Sequence, residues 1–336
     1  MKQKIKIIAE IAQAHDGSMG ILHSYIDALA DTGVDAIKFQ THIAEAESSE
    51  YERFRVNFSY VDKTRFDYWK RMEFSIDQWK EIKQHCDKVG LEFMSSPFSN
   101  KAVDYLEEIG VNQYKVGSGE ISNLLLLNRL SETGKPVILS SGLSDWEELG
   151  TAINFLQSKN TDVSILQCTT QYPTSPENWG LNIINELKSK YNLPTGYSDH
   201  SGTTTACLAA ASLGAVILEF HVTFDKRMFG PDASSSLTID DVKQLVIGVR
   251  QIETAFSNPI TKEIDEGKKV IKTMFGKSLA INRDLKKGDI LKLEFLEGKK
   301  PGDKGIPAAD FQTIVGKKLN RDLKQWDFIN KGDIEI

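Results

Sequence analysis

Ionisable and hydroxyl side chains recur at the ends of short apolar runs in this chain of 336 residues. In chain order those ends carry Glu10, Lys38 with Gln40, Ser95 with Ser96, Lys115 with Ser118, Ser140 with Ser141, Thr169, Ser198 with His200, and Glu219 with His221. A polar strand end is ordinary, because strands stop where loops meet water. Eight in succession, each closing an apolar interior, put polar groups on one rim. His200 and His221 end neighbouring runs and suit one borderline divalent ion through imidazole nitrogen; two hydrogen-bonded structural histidines is the competing reading. Lys38 and Lys115, among Ser96, Ser118, Ser140 and Ser198, form a cradle for phosphate or carboxylate. Alternatively a lysine pairs with Glu10 or Glu219, and both readings hold together in an enzyme without substrate. Glu10 is near enough to the histidines to act at the same centre.

The runs that carry these residues are Ile5–Glu10, Ala36–Gln40, Leu91–Ser96, Gln113–Ser118, Pro136–Ser141, Val163–Cys168, Pro194–Asp199 and Val216–His221. Stretches of helical periodicity lie between most of them; Val242, Leu245, Val246, Val249 and Ile252, for example, share one face. Strand and helix alternating eight times predict a (β/α)8 TIM barrel over residues 1–256, with function at the C-terminal ends of its strands. An open doubly wound sheet is the alternative. The connection Thr41–Ser75 is too long for a turn and rich in aromatics, which predicts a lid over the second strand, with or without a packed helix around Phe66–Met72.

Residues 257–276, polar and containing Pro259, read as a linker. Residues 277–336 read as a small β-rich domain, because Arg283-Asp-Leu-Lys-Lys-Gly-Asp289 and Arg321-Asp-Leu-Lys-Gln-Trp-Asp327 are two copies of one turn motif. A domain of that size is expected to dock on the barrel or on a partner subunit.

A net charge of -6 argues against nucleic acid as a partner. No run approaches a membrane span, and the N-terminus has no secretory h-region. Cys86, Cys168 and Cys207 are odd in number and widely spaced, which predicts no disulfide framework and a cytoplasmic location.

Several stretches together carry a family resemblance: Ala9-Glu-Ile-Ala-Gln-Ala-His-Asp-Gly-Ser18, Lys38-Phe-Gln-Thr-His42, Ser95-Ser-Pro-Phe-Ser99, Tyr114-Lys-Val-Gly-Ser-Gly-Glu120, Gln167-Cys-Thr-Thr-Gln-Tyr-Pro173, Gly196-Tyr-Ser-Asp-His200 and Leu218-Glu-Phe-His221. Over nearly its whole length the chain resembles the sialic acid synthase family, and Lys299-Lys-Pro-Gly302 with the repeat after Lys277 resembles that family's C-terminal antifreeze-like (β-clip) domain. The resemblance implies condensation of phosphoenolpyruvate (PEP) with an N-acylated hexosamine, either N-acetylmannosamine or a diacetamido-trideoxyhexose, to give a nonulosonic acid and phosphate. It implies His200 and His221 as ligands of a divalent metal, usually Mn2+, with Mg2+ or Co2+ as alternatives. It assigns PEP to Lys38, Ser96, Lys115, Ser118, Ser140, Thr170 and Ser198, and the sugar to Gln40, Tyr60, Tyr172 and Asp232. Lys300, reaching over from a partner subunit of a domain-swapped homodimer, completes the sugar site. Glu10 is the residue chosen to orient or deprotonate the attacking water.

Relatives carry Asn at the Thr170 position, an Asn in the lid near Tyr60, and Arg where this chain has Lys300. Lys lacks the planar fork of Arg, so recognition of the acyl group is the feature expected to differ. The alternative chemistry is a Schiff-base aldolase using Lys115 or Lys38.

Overall fold

Alternation of β-branched runs with amphipathic stretches resolves into parallel strands joined by helices. The computed structural model describes residues 4–56 and 58–335. Its strands are β1 Lys6–Glu10, β2 Ala36–Thr41, β3 Glu92–Pro97, β4 Tyr114–Val116, β5 Val137–Ser140, β6 Val163–Cys168, β7 Thr195–Asp199 and β8 Ile217–Thr223. Each pairs in parallel with the next, and β1 pairs with β8, Glu10 opposite His221. The sheet is therefore a closed barrel and not an open layer. The short β9 Leu237–Thr238 extends the pairing of β8.

The helices are α1 Met19–Ala30, α2 Ala44–Glu47, α3 Arg65–Met72, α4 Ile76–Val89, α5 Asn100–Ile109, α6 Leu124–Ser131, α7 Trp146–Ser158, α8 Leu181–Tyr191, α9 Thr205–Ser212 and α10 Ile239–Ser257. Capping boxes fix several starts: Ser75 with Gln78 opens α4, and Thr238 with Asp241 opens α10. Among the described residues no helix is long and apolar enough to cross a membrane.

Strand residues alternate between two environments, as the pleat requires. One facing, with Ile7, Ala9, Ile37, Phe39, Phe93, Leu139, Leu218 and Phe220, joins the core shared with the helices. The other points to the barrel axis, where Ile8, Ala36, Met94, Ile138, Leu166 and Ile217 form a separate apolar layer. Two residues further along that inward facing stand Glu10, Lys38, Ser96, Ser140, Cys168 and Glu219, all buried. The barrel interior thus has an apolar floor beneath a polar layer, and strand parity alone decides which residues form the site.

The predicted strands agree with those observed to within one or two residues at each end, and the fourth is shortened the most. Gln113–Ser118 forms only Tyr114–Val116, because Ser118–Glu120 coils into a 3-10 turn. The long connection after β2 contains the predicted helix as α3. Tyr68, Trp69 and Met72 of that helix pack with Ala44, Phe54, Phe58 and Phe66, so the segment has a small core of its own.

By internal contacts the chain divides into two units, Met1–Pro259 and Ile260–Ile336. The stretch read as linker is not wholly irregular: α11 Glu266–Phe275, capped by Asp265, occupies half of it. Its helical apolar spacing, Val270, Ile271, Met274 and Phe275, is masked in the sequence by the charges between. In the second unit β10 Ser278–Ile281 pairs antiparallel with β11 Leu296–Lys299. The two turn motifs are related by an approximate twofold. Leu285 and Leu323 exchange backbone hydrogen bonds of 2.9 and 3.0 Å. Asp322 accepts from Lys287 N at 2.9 Å, as Asp284 does from Gln325 N at 2.7 Å.

Gly196 of β7 sits where the wall of the barrel is tightest: a Cβ there would meet Ile217 O at 2.3 Å and Leu166 Cδ2 at 2.6 Å. Gly196→Ala is expected to destabilise the barrel by about 1–3 kcal/mol through overpacking, read from urea denaturation midpoints.

Candidate active site

Closure of the barrel brings the ends of β1, β2, β4 and β8 together around four charges. Lys38 Nζ is 2.7 Å from Glu10 Oε1 and 3.5 Å from Glu219 Oε1. Lys115 Nζ is 3.0 Å from the same Glu219 oxygen, to which Ser198 Oγ also donates at 3.1 Å. Gln40 Nε2 donates to Glu10 Oε1 at 2.7 Å, and Lys38 reaches Ser96 Oγ at 3.4 Å. Both lysines are therefore ion-paired, and Lys38 also reaches a hydroxyl. Burial pushes the Glu10 carboxyl up, but the charges of Lys38, His221 and Lys115 outweigh it and hold the group well below the usual carboxylate range. Lys38 is correspondingly raised: burial opposes its charge, and Glu10 and Glu219 more than offset that.

His221, on β8, has Nε2 3.5 Å from Glu10 Oε2. His200 follows β7, and the two imidazole centroids are 5.3 Å apart. His200 Nδ1 lies 2.9 Å from Thr169 O, and because a carbonyl only accepts, Nδ1 carries the proton. In the neutral ring this leaves the Nε2 lone pair facing inward, 3.0 Å from the Tyr172 hydroxyl. Burial lowers His221 despite the pull of Glu10 and Asp232. For His200 burial is outweighed by Cys168 and the Thr169 carbonyl, and the pKa rises to about 9.

Two nested cavities follow. The inner pit, about 60 Å³, is lined by Glu10, Lys38, Ser96, Lys115, Ser118, Ser140, Cys168, Ser198, His200, Glu219 and His221 among others. Above it opens a bowl of about 390 Å³, whose lining includes Gln13, Gln40, His42, Glu52, Arg55, Arg65, Trp69, Thr170, Tyr172 and Asp232. Three buried polar atoms in or beside these cavities have no protein partner: Ser140 Oγ, Thr170 Oγ1 and Glu219 Oε2. Buried polar groups are seldom left unpaired, so their convergence marks a place built for a polar ligand. Gly142 keeps the pit's edge open to it, since a Cβ there would fall 2.4 Å from Thr170 Oγ1 and 2.7 Å from Ser118 Oγ.

Most residues read from the sequence as site residues line the pit or the bowl. Tyr60 does not: it is 95% exposed on the lid, its ring 6.1 Å from that of Phe229, and it lines neither cavity. The lid turns the aromatic outward and brings Arg55 inward instead, with its guanidinium 4.3 Å from the centroid of Tyr172 and 3.2 Å from Asp232 Oδ1. Lys300 belongs to the second unit, where its ammonium lies 4.8 Å from the Phe275 ring. Sequence reasoning placed Glu219 on the rim and as a lysine's alternative partner but gave it no part in binding or catalysis; it stands two positions before His221 and shares its facing. Arg55 carried no signal, because nothing in an irregular loop fixes which side chain points inward.

The fold and this site define a (β/α)8 enzyme whose pit holds two ammonium groups, each paired with a carboxylate, beside two imidazoles. The chain belongs to the NeuB family, whose model matches residues 25–261. It is 32% identical to the N,N'-diacetyllegionaminic acid synthase of Campylobacter jejuni over 98% of this chain and all of that one. It is also 32% identical to human N-acetylneuraminate-9-phosphate synthase, over 96% of this chain and 90% of the other. Among solved structures, the N-acetylneuraminic acid synthetase of Leptospira borgpetersenii in complex with citrate superposes with a TM-score of 0.70 at 31% identity, covering 80% of this chain and 90% of that one.

Removing Glu219 leaves two buried ammonium groups short of a counter-charge. Glu219→Ala is expected to cost about 3–5 kcal/mol of stability by equilibrium unfolding. Glu10 makes the fold acid-sensitive. Its folded pKa lies below the ordinary 4.5, so its contribution is complete above that value and is lost as pH falls towards the folded pKa. Glu10→Gln should flatten the decline in unfolding free energy below pH 4.5; a slope equal to wild type would count against the pairing.

Proposed function

We propose that this chain condenses phosphoenolpyruvate with an N-acylated hexosamine and water, releasing phosphate and a nonulosonic acid. The observation that carries the reading is the pit itself: two ammonium groups, four serines and unpaired polar atoms at the foot of a larger, mixed bowl. A small polyanion and a bulkier, hydroxyl-rich acceptor are the two shapes those cavities suit. Lys38 and Lys115 would hold the phosphate, with Ser96, Ser118, Ser140, Ser198 and Thr170 as hydroxyl donors. Gln40, Tyr172 and Asp232 would face the sugar.

His200 and His221 fit a divalent ion as two of its ligands. The Thr169 carbonyl fixes the His200 tautomer as a ligand's outer partner does, and imidazole suits magnesium, manganese and cobalt in increasing order of preference. Among the described residues no three His, Cys, Asp or Glu converge on one position, so water or substrate would complete the shell. Bound there, the ion would polarise the open-chain aldehyde of the sugar as a Lewis acid. C3 of the enol attacks that carbon, and water adds at C2. Phosphate then leaves with the bridging oxygen.

Glu10 would orient and deprotonate the water. Paired with Lys38 at 2.7 Å it is a weak base. An anion that draws the Lys38 charge to itself raises the basicity of Glu10 at the moment it is needed.

The second unit would be an antifreeze-like domain whose Lys300 reaches the partner's bowl in a domain-swapped homodimer in the cytoplasm. A Schiff-base aldolase needs a neutral amine. The raised pKa of Lys38 and the 3.0 Å pairing of Lys115 with Glu219 both work against one.

The test incubates the protein with Mn2+, a panel of N-acylated hexosamines, and PEP labelled with 18O at the bridging oxygen. Labelled phosphate and a product of the mass of a nonulosonic acid are expected with at least one sugar. Absence of phosphate release with all of them would falsify the assignment, and a borohydride-trapped pyruvyl lysine would favour the aldolase.

A further inference from the structure

A second pair of histidines lies between two helices outside the sheet and lines neither cavity of the mouth. His23 on α1 and His85 on α4 face each other, Nδ1 to Nδ1 at 2.6 Å, with ring centroids 4.7 Å apart. Each ring's other nitrogen meets a carboxylate of the opposite helix: His23 Nε2 is 2.9 Å from Glu81 Oε1, and His85 Nε2 is 2.8 Å from Asp27 Oδ1. The four residues form two i, i+4 pairs, His23 with Asp27 and Glu81 with His85, so each helix presents one imidazole and one carboxylate on the same face.

An ionised carboxylate only accepts, so both Nε2 atoms carry protons. The remaining lone pairs, both on Nδ1, then point at one another across 2.6 Å and repel unless an electrophile lies between them. A shared proton is one such electrophile; a metal ion is the other. The outer carboxylates are the partners that metal-bound imidazoles ordinarily have, since they fix the tautomer and raise the basicity of the ligating nitrogen.

We propose that His23 and His85 bind a borderline divalent transition metal, zinc above all, through their Nδ1 atoms, with Glu81 and Asp27 as outer-sphere acceptors and water in the remaining positions. At a metal–nitrogen distance of about 2.05 Å the present separation subtends only about 80° at the ion, and opening to tetrahedral geometry takes the nitrogens to about 3.3 Å. The rings therefore need to part by about 0.7 Å, a rotamer-scale adjustment for half-buried side chains. With the ion bound, both imidazoles would serve as neutral ligands and both carboxylates would remain paired. The ion would clasp α4, the helix that follows the lid, to α1.

The experiment titrates metal-free, full-length protein with Zn2+ against a chelating dye. His23→Ala and His85→Ala are each expected to bind one equivalent fewer than wild type, whatever the His200 and His221 pair contributes, and to keep phosphate-releasing activity. Asp27→Ala and Glu81→Ala, at mostly exposed positions, preserve both ligands and should weaken that equivalent about tenfold or more. They carry the test if a histidine variant fails to fold. Stoichiometry unchanged in both histidine variants, or affinity unchanged in both carboxylate variants, overturns the site.

Discussion

Four charges meet in the centre of the barrel without bulk water around them, and the mouth is organised by that contact. Lys38, Lys115, Glu10 and Glu219 each come from a different strand, so their mutual distances are set by the register and closure of the sheet and not by any loop. Desolvating such groups is costly, and their attraction offsets the cost only at close range and in good geometry. The network is therefore intolerant of small displacements. It fixes two ammonium groups where hydroxyls from Ser96 and Ser198 also point, so the site is assembled before any anion arrives. Preorganisation of this kind is what makes fixed charges effective against charge that develops during a reaction.

How much of this could be read from the sequence depends on how regular the backbone is at each residue. Glu10, Lys38, Lys115 and His221 sit on strands, where position along the run gives depth and parity gives facing; both could be counted. Glu219 was legible by the same count, since Ile217, Glu219 and His221 share one facing, and its pairing with the lysines is the alternative the sequence offered. Ser118 kept its place at the rim although its strand ended early, because a 3-10 turn carries the hydroxyl to nearly the same height. Tyr60 and Arg55 lie where neither depth nor facing can be counted. Their segment has no period, so the choice of which side chain enters the bowl depends on packing of Phe54 and Phe58 against Tyr68.

The two cavities differ in how they are built. The pit is built mainly from strand ends, where Glu10, Lys38, Lys115 and Glu219 are held by the register of the sheet. The bowl is built from loops, with Arg55 resting on Tyr172 and Asp232 and Thr170 offering an unpaired hydroxyl. Substitutions in a loop change a cavity's wall without disturbing the register of the sheet, so acceptor choice can drift while the reaction stays the same.

The layering of the barrel interior has a kinetic corollary. An apolar floor of Ile8, Ala36, Met94, Ile138, Leu166 and Ile217 closes the pit from below, and the bowl stands directly over it. A vessel with one opening and two compartments in series imposes an order on its traffic: the occupant of the lower compartment enters first, and whatever remains there leaves only after the upper one has emptied.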